Sequence, residues 1–222
     1  MELHYLPVSL GEAMDKLSIL DIKLDKITDN RRDNVKNEYD MLFKMLKDDV
    51  NKYTLYYNIM KIVNLEIWNM MNLLRDVEEY NHNYMVLCRE CMISNDIRFR
   101  IKNKINYISN CSLKEQKGYK VMSILFDTRN PSIYLDDLIN PIKYYSFLYD
   151  EIIILTNMNE KSIFEKHFSY DPSVIITYED ERLGLTCKKM FDLRDLQEVS
   201  KEKLYNRLEI NDEIVTKYFS NF

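Results

Sequence analysis

The chain has 222 residues, 46% apolar and 30% charged, with 31 basic and 36 acidic side chains for a net charge of −5. The balance is −1 over residues 1–115 (17 basic, 18 acidic) and −4 over residues 116–222 (14 basic, 18 acidic), so neither half carries the basic excess that holds nucleic acid. Only 3 glycines and 4 prolines occur, which excludes glycine-rich phosphate loops, flexible linkers and disorder and leaves a folded, helix-rich protein.

The first residues place no basic region before an apolar one, so no signal peptide is expected. No apolar run approaches the roughly 20 residues of a membrane helix, and no membrane insertion is expected. Four dispersed cysteines, Cys88, Cys91, Cys111 and Cys187, suit a reducing cytoplasm better than a disulfide framework. The weight of Asn, Lys, Ile and Tyr suits an AT-rich genome such as that of a large DNA virus.

From Leu10 the apolar positions Leu10, Ala13, Leu17, Leu20, Leu24 and Ile27 form a heptad seam, with Ser9 as N-cap and Glu12 three residues on. Thr28-Asp29-Asn30 interrupts it, and the pattern resumes in a new register as Val35, Tyr39, Leu42 and Leu46. A third helix is expected over about Thr54–Tyr80 from Tyr56, Met60, Val63, Ile67, Met70, Leu74 and Val77. A short helix at Tyr84–Met92 follows. Ser94 or Asn95 then caps another helix through Ile97, Ile101, Ile105 and Ile108. Residues 1–115 thus read as an antiparallel helical bundle or hairpin, whose seams could also serve a homodimer.

After Gly118 the period shortens. Tyr119–Phe126, Glu151–Thr156 and Ser173–Tyr178 read as strands, separated by helices at about Tyr134–Leu148 and Glu160–Phe168. The tail from Leu193 to Phe219 reads as helical. Strand and helix in alternation predict a small three-layer α/β unit with a parallel sheet over residues 116–222, loosely similar to Rossmann-like sugar-transfer domains, and make the whole chain α/β.

The stretch Val8-Ser9-Leu10-Gly11-Glu12-Ala13-Met14-Asp15-Lys16-Leu17-Ser18-Ile19-Leu20-Asp21-Ile22-Lys23-Leu24 resembles the opening of a bacterial and viral domain family of unknown function. Its pattern is approximately V-S-x-G-E-x-x-D-K-[IL]-[ST]-I-L-[ED]-I-K. Val63–Trp68 and Ser94–Arg98 fit the same family, so the resemblance covers about residues 7–118. It implies an association with the assembly of cell-surface or lipopolysaccharide sugars, and it assigns no residue a role. The family's acidic residue after the tryptophan segment is replaced by Asn69-Met70-Met71, so no acid chemistry is carried over.

Glu12 and Lys16 have the spacing of an i,i+4 ion pair, and Asp15 and Lys23 extend the same polar face. This face is either solvated or, in the sharper reading, Glu12, Asp15, Lys16 and Lys23 meet Asn95, Asp96 and Arg98 across the bundle and form a polar ligand pocket. The run Arg98, Arg100, Lys102, Lys104 reads first as a solvated helix flank. Trp68, the only tryptophan, reads first as core and second as a stacking platform. Cys88 and Cys91 lack the second ligand pair of a zinc site, so no metal and no cofactor is expected.

In the α/β half, ligands sit beyond the carboxyl ends of parallel strands. This points to Asp127 and Arg129, Thr156 and Asn157, and Glu179 and Arg182. In a sugar or nucleotide-sugar site the arginines would grip phosphate and the acids would hold hydroxyls. A second resemblance competes: Ile124-Leu125-Phe126-Asp127-Thr128 is similar to the first motif of haloacid-dehalogenase-like phosphatases, and Ile152–Asn157 to the second. Asp127 would then be the nucleophile, but the general acid expected two residues on is Arg129. The sequence therefore favours an accessory protein of surface-glycan assembly, binding a glycan precursor, a nucleotide sugar or a glycosyltransferase. An oligomeric scaffold and a degenerate phosphatase are the alternatives.

Overall fold

The computed structural model describes residues 6–77, 81–118, 121–130, 133–178, 187–196 and 200–219. The chain divides into two compact units, Met1–Gln116 and Lys117–Phe222.

The first unit is helical: α1 (Leu10–Lys26), α2 (Arg31–Lys52), α3 (Thr54–Asp76) and α4 (His82–Ile108). Ser9 caps α1, its hydroxyl accepting the Glu12 N–H at 3.2 Å. Asn81 does the same for α4 through the Tyr84 N–H at 3.1 Å. The core lies where the seams of α1, α3 and α4 meet: Met14 and Leu17 of α1, Ile59, Met60 and Val63 of α3, and Ile101 and Ile105 of α4 are buried. Each such side chain contributes about 1.5–3 kcal/mol through its removal from water. By contrast, the 22 residues of α2 bury only Leu46, so α2 leans on α1 by one edge.

Two expectations are corrected in this unit. Residues 82–108 form one continuous helix, so Ser94 and Asn95 lie in a helix interior and cap nothing. No glycine or proline breaks the backbone ladder there, and a capping residue type alone cannot start a new helix. The basic run is also no solvated flank: Arg100, Lys102 and Lys104 are all buried, at 5–7% exposure.

The second unit consists of β1 (Ser123–Asp127), α5 (Asp136–Leu148), β2 (Glu151–Leu155), α6 (Lys161–Phe168), β3 (Val174–Thr177), β4 (Lys189–Asp192), α7 (Lys201–Arg207) and α8 (Asp212–Phe219). The sheet is parallel throughout, in the order β3-β2-β1-β4, with Phe126 in register between Ile154 and Phe191. Consecutive residues of β1 and β2 are buried, as strands covered on both faces require. On one face Ile124, Phe126, Ile152 and Ile154 join Phe164, Phe168 and Tyr145 in one apolar cluster.

The mixed α/β class follows the sequence reading. The tail carries the expected helical structure as two helices, α7 and α8, and β4 precedes them. Because β2 and β3 lie on one side of β1 and β4 on the other, the carboxyl ends of β1 and β4 mark the switch point of the sheet.

Candidate functional site

In the helical unit, three polar side chains meet in the core. The Asn64 amide of α3 donates to the Asp15 carboxylate at 2.7 Å and to the Ser18 hydroxyl at 2.8 Å, and the Ser18 hydroxyl donates in turn to the Asp15 carbonyl at 2.8 Å. Asp15, Ser18 and Asn64 are each at most 4% exposed. Burial pushes the Asp15 carboxyl above its ordinary range, against the Asn64 hydrogen bond and the charges of Arg98 and Lys102, which favour the carboxylate. An acidic group in this position needs those partners, since an unpaired buried charge costs several kcal/mol.

Beside this cluster lies a cavity of about 180 Å³ lined by Asn64, Trp68, Met71 and Arg75 of α3, Arg98 of α4, and Ile19 and Ile22 of α1. Its walls are mostly apolar, and its polar groups are one amide and two guanidiniums. Trp68 is half-buried on this wall rather than packed in the core. Asn64 belongs to both the cluster and the cavity, and so fixes the cavity to the buried acid behind it.

A second polar contact lies nearby. The Lys102 ammonium is 2.8 Å from the Glu12 carboxylate and 2.6 Å from that of Glu115. Burial would lower its pKa, but hydrogen bonds to Glu115 and Glu12 outweigh this and hold it above the usual lysine range. Gly11 packs directly on α4: its N–H donates to Asn106 Oδ1 at 2.7 Å, and a Cβ there would lie 2.3 Å from the Lys102 carbonyl oxygen.

Of the pocket expected on this face, the structure brings together Asp15 and Arg98, with Glu12 drawn to Lys102. Lys16 instead pairs with Glu38 of α2 at 2.7 Å, which replaces the expected Glu12–Lys16 pair. Lys16, Lys23, Asn95 and Asp96 do not line the cavity. Helical spacing left the direction of Lys16 open, and packing of α2 on α1 decided it. Asn64, Arg75 and Ser18 were not foreseen. Asn64 could have been flagged, because it sits one position from the buried Val63 on a helix whose apolar seam does not need it.

In the α/β unit, the strand-end groups bind one another. Arg129 grips Asp127 with two hydrogen bonds, Nε at 2.9 Å and Nη2 at 2.7 Å, and Arg194 Nε lies 3.1 Å from the same carboxylate. Arg194 also holds Asp192 at 3.0 and 2.6 Å, and this pairing brings the Asp192 carboxyl down to about 2. The Asn130 amide donates to the Leu193 and Leu196 carbonyls at 2.8 and 2.9 Å and sews the loop after β1 to the loop after β4. Thr156 and Asn157 turn to Glu160 at the start of α6, at 3.3 and 3.1 Å. Asp127 is thus an anchor of the switch point, with its carboxylate engaged by two cations, and Arg129 serves that anchor. Glu179 and Arg182 lie outside the described residues.

Among the described residues, no three His, Cys, Asp or Glu side chains gather as metal ligands, and no helix is long and apolar enough to cross a membrane.

Fold and site together define a two-unit α/β protein with a cavity formed in its helical unit. The chain belongs to a family of unknown function, DUF6165, whose pattern matches residues 5–135, more than half of its length. That match takes in every residue lining the cavity and continues through β1 and the loop holding Asp127 and Arg129, whereas β2, β3 and β4 lie beyond it. No curated protein and no solved structure matches the chain.

Proposed function

We propose that the helical unit binds the sugar-phosphate portion of a surface-glycan precursor, and that the protein is an accessory component of glycan assembly. The observation that carries this reading is the cavity in which the only tryptophan stands with Arg75 and Arg98 around an apolar wall. An indole face takes the C–H face of a sugar ring, and a guanidinium grips a phosphate through paired N–H donors. Asn64 supplies a directional polar contact, and the buried acid behind it fixes its orientation.

Size narrows the ligand. About 180 Å³ is well below the ~300–1,000 Å³ of pockets for drug-sized molecules. It suits one ring-sized group with its phosphate at the rim, and a nucleotide sugar would extend out of it. The sugar-assembly association comes from the resemblance of residues 8–24, and the cavity adds the chemistry. A phosphatase reading has less in its favour, because attack from Asp127 would first require breaking its pairs with Arg129 and Arg194.

Trp68 makes the test direct, since its emission comes from the cavity alone. Titration of the full chain with a hexose 1-phosphate is expected to change that emission saturably, while free hexose and inorganic phosphate bind more weakly. The exposed Arg75 can be changed without disturbing the core, and Arg75→Gln should weaken binding about 10–100-fold, the loss of a charged hydrogen bond of ~1.5–3 kcal/mol. A well-folded protein giving no saturable change with hexose phosphates or nucleotide sugars contradicts the reading.

A further inference from the structure

The hydrogen bonds behind the cavity wall dictate what the wall can offer a ligand. A side-chain amide carries two N–H donors and one acceptor oxygen, so the end that faces a ligand follows from what the other end must satisfy. On α1 the Ser18 hydroxyl spends its single proton on the Asp15 carbonyl at 2.8 Å. Its oxygen can then only accept, and the group that meets it at 2.8 Å must be the Asn64 amide nitrogen. The same nitrogen lies 2.7 Å from the Asp15 carboxylate, a second acceptor. Both amide protons are thereby used on α1, and Asn64 Oδ1 is turned to the other side.

What Asn64 has left to offer is therefore an acceptor. Among the described residues no donor reaches Oδ1, yet this oxygen is not sealed in the core, and Asn64 lines the cavity. The other nitrogen-bearing side chains on that wall, Trp68, Arg75 and Arg98, only donate. Burial of the polar groups is graded: Asn64 is buried, Arg98 half-buried and Arg75 exposed. An anion set against Asn64 would place its oxygens on another oxygen, so a ligand's charge belongs with the guanidiniums and a hydroxyl belongs with Asn64.

We propose that Asn64 is the specificity-determining residue of this cavity, its Oδ1 accepting a hydrogen bond from one hydroxyl of the bound sugar phosphate. This rests on the sugar-phosphate reading and adds to it which ligands are refused. A ligand without a donor at that point leaves Oδ1 desolvated and unpaired, and a site built to meet a hydroxyl discriminates strongly against its absence for that reason. Fluorine in place of the hydroxyl is close to it in size but donates nothing, so it does not repair the loss.

The test titrates the native full chain, through Trp68 emission, with a hexose 1-phosphate, its singly deoxygenated analogues and their singly fluorinated counterparts. At one sugar position both the deoxy and the deoxyfluoro analogue should bind at least tenfold more weakly than the parent. Asn64→Ala, with its helical circular dichroism retained, should bind the parent and that deoxy analogue equally weakly. Should Asn64→Ala not fold, the analogue series on the native chain decides alone. Deoxy analogues that all bind within threefold of the parent overturn this inference while the sugar-phosphate reading stands. A loss that fluorine restores does the same, because it assigns the wall a donor at that point, and so does a folded Asn64→Ala chain that still discriminates. A folded native chain that binds neither the parent nor any analogue overturns both.

Discussion

Asp15 is the residue whose environment says most about the helical unit. A carboxylate 4% exposed, bonded to Asn64 and within the field of Arg98 and Lys102, is an unusual use of a core position. Its pKa is raised in the folded state, so folding takes up a proton between the unfolded value near 3.8 and the higher folded one. The stability tied to that proton is fully present below the unfolded value and is lost as the pH rises through the folded value. Asp15→Asn keeps an acceptor for the Asn64 amide and removes the titration. Thermal unfolding should therefore show the variant gaining on the native chain as the pH rises from 4 to 8. A difference that stays constant across that range would mean that Asp15 titrates alike in both states. The acid was legible in the sequence as one residue of a polar helix face, but its burial was not. Helical spacing says which residues share a face, and only the arrival of α3, with Asn64 49 residues away, decides that this face is covered.

At the scale of elements, the contact of α1 with α4 is set by Gly11. Without a side chain there, α1 lies against the Lys102 carbonyl, and its free N–H reaches Asn106. Gly11→Ala places a carbon 2.3 Å from that backbone oxygen, which cannot swing aside as a side chain could. Overpacking of this kind costs ~1–3 kcal/mol, and the upper part of that range is expected here, read as a lower denaturant midpoint with an unchanged slope. An unchanged midpoint would show that the helices slide apart freely.

Most elements were legible because their periods are regular. The seams of α1, α2 and α3 and the apolar runs of β1, β2 and β3 all lie where spacing places them. β4 escaped because Lys189-Met190-Phe191-Asp192 is four residues long and buries only Phe191, too little for an alternating pattern. Its loop supplies Arg194, so the ionic anchor around Asp127 could be only half seen. The continuity of α4 escaped for the opposite reason: Ser94 and Asn95 look like caps, yet neither breaks the backbone ladder, and Ser94 is buried between helices.

For the whole molecule, the two units differ in what their polar groups do. In the α/β unit, Asp127, Arg129, Asp192 and Arg194 satisfy one another and Asn130 closes the switch point, so the place where an open sheet usually takes its ligand is occupied by the chain's own loops. In the helical unit, Trp68, Arg75 and Arg98 line open space. The family match covers that cavity and stops before the strands that complete the sheet. Scarcity of glycine fits this division, since a ligand held by indole and guanidinium, as proposed above, would need no bare backbone. Hydrogen exchange of the full chain, with and without saturating hexose 1-phosphate, tests the division most directly. Slower exchange is expected in α3 from Asn64 to Arg75, in the facing turns of α1 and around Arg98, with the loops at 127–130 and 156–157 unchanged. Protection confined to those strand-end loops, with α1, α3 and α4 unaltered, would contradict it.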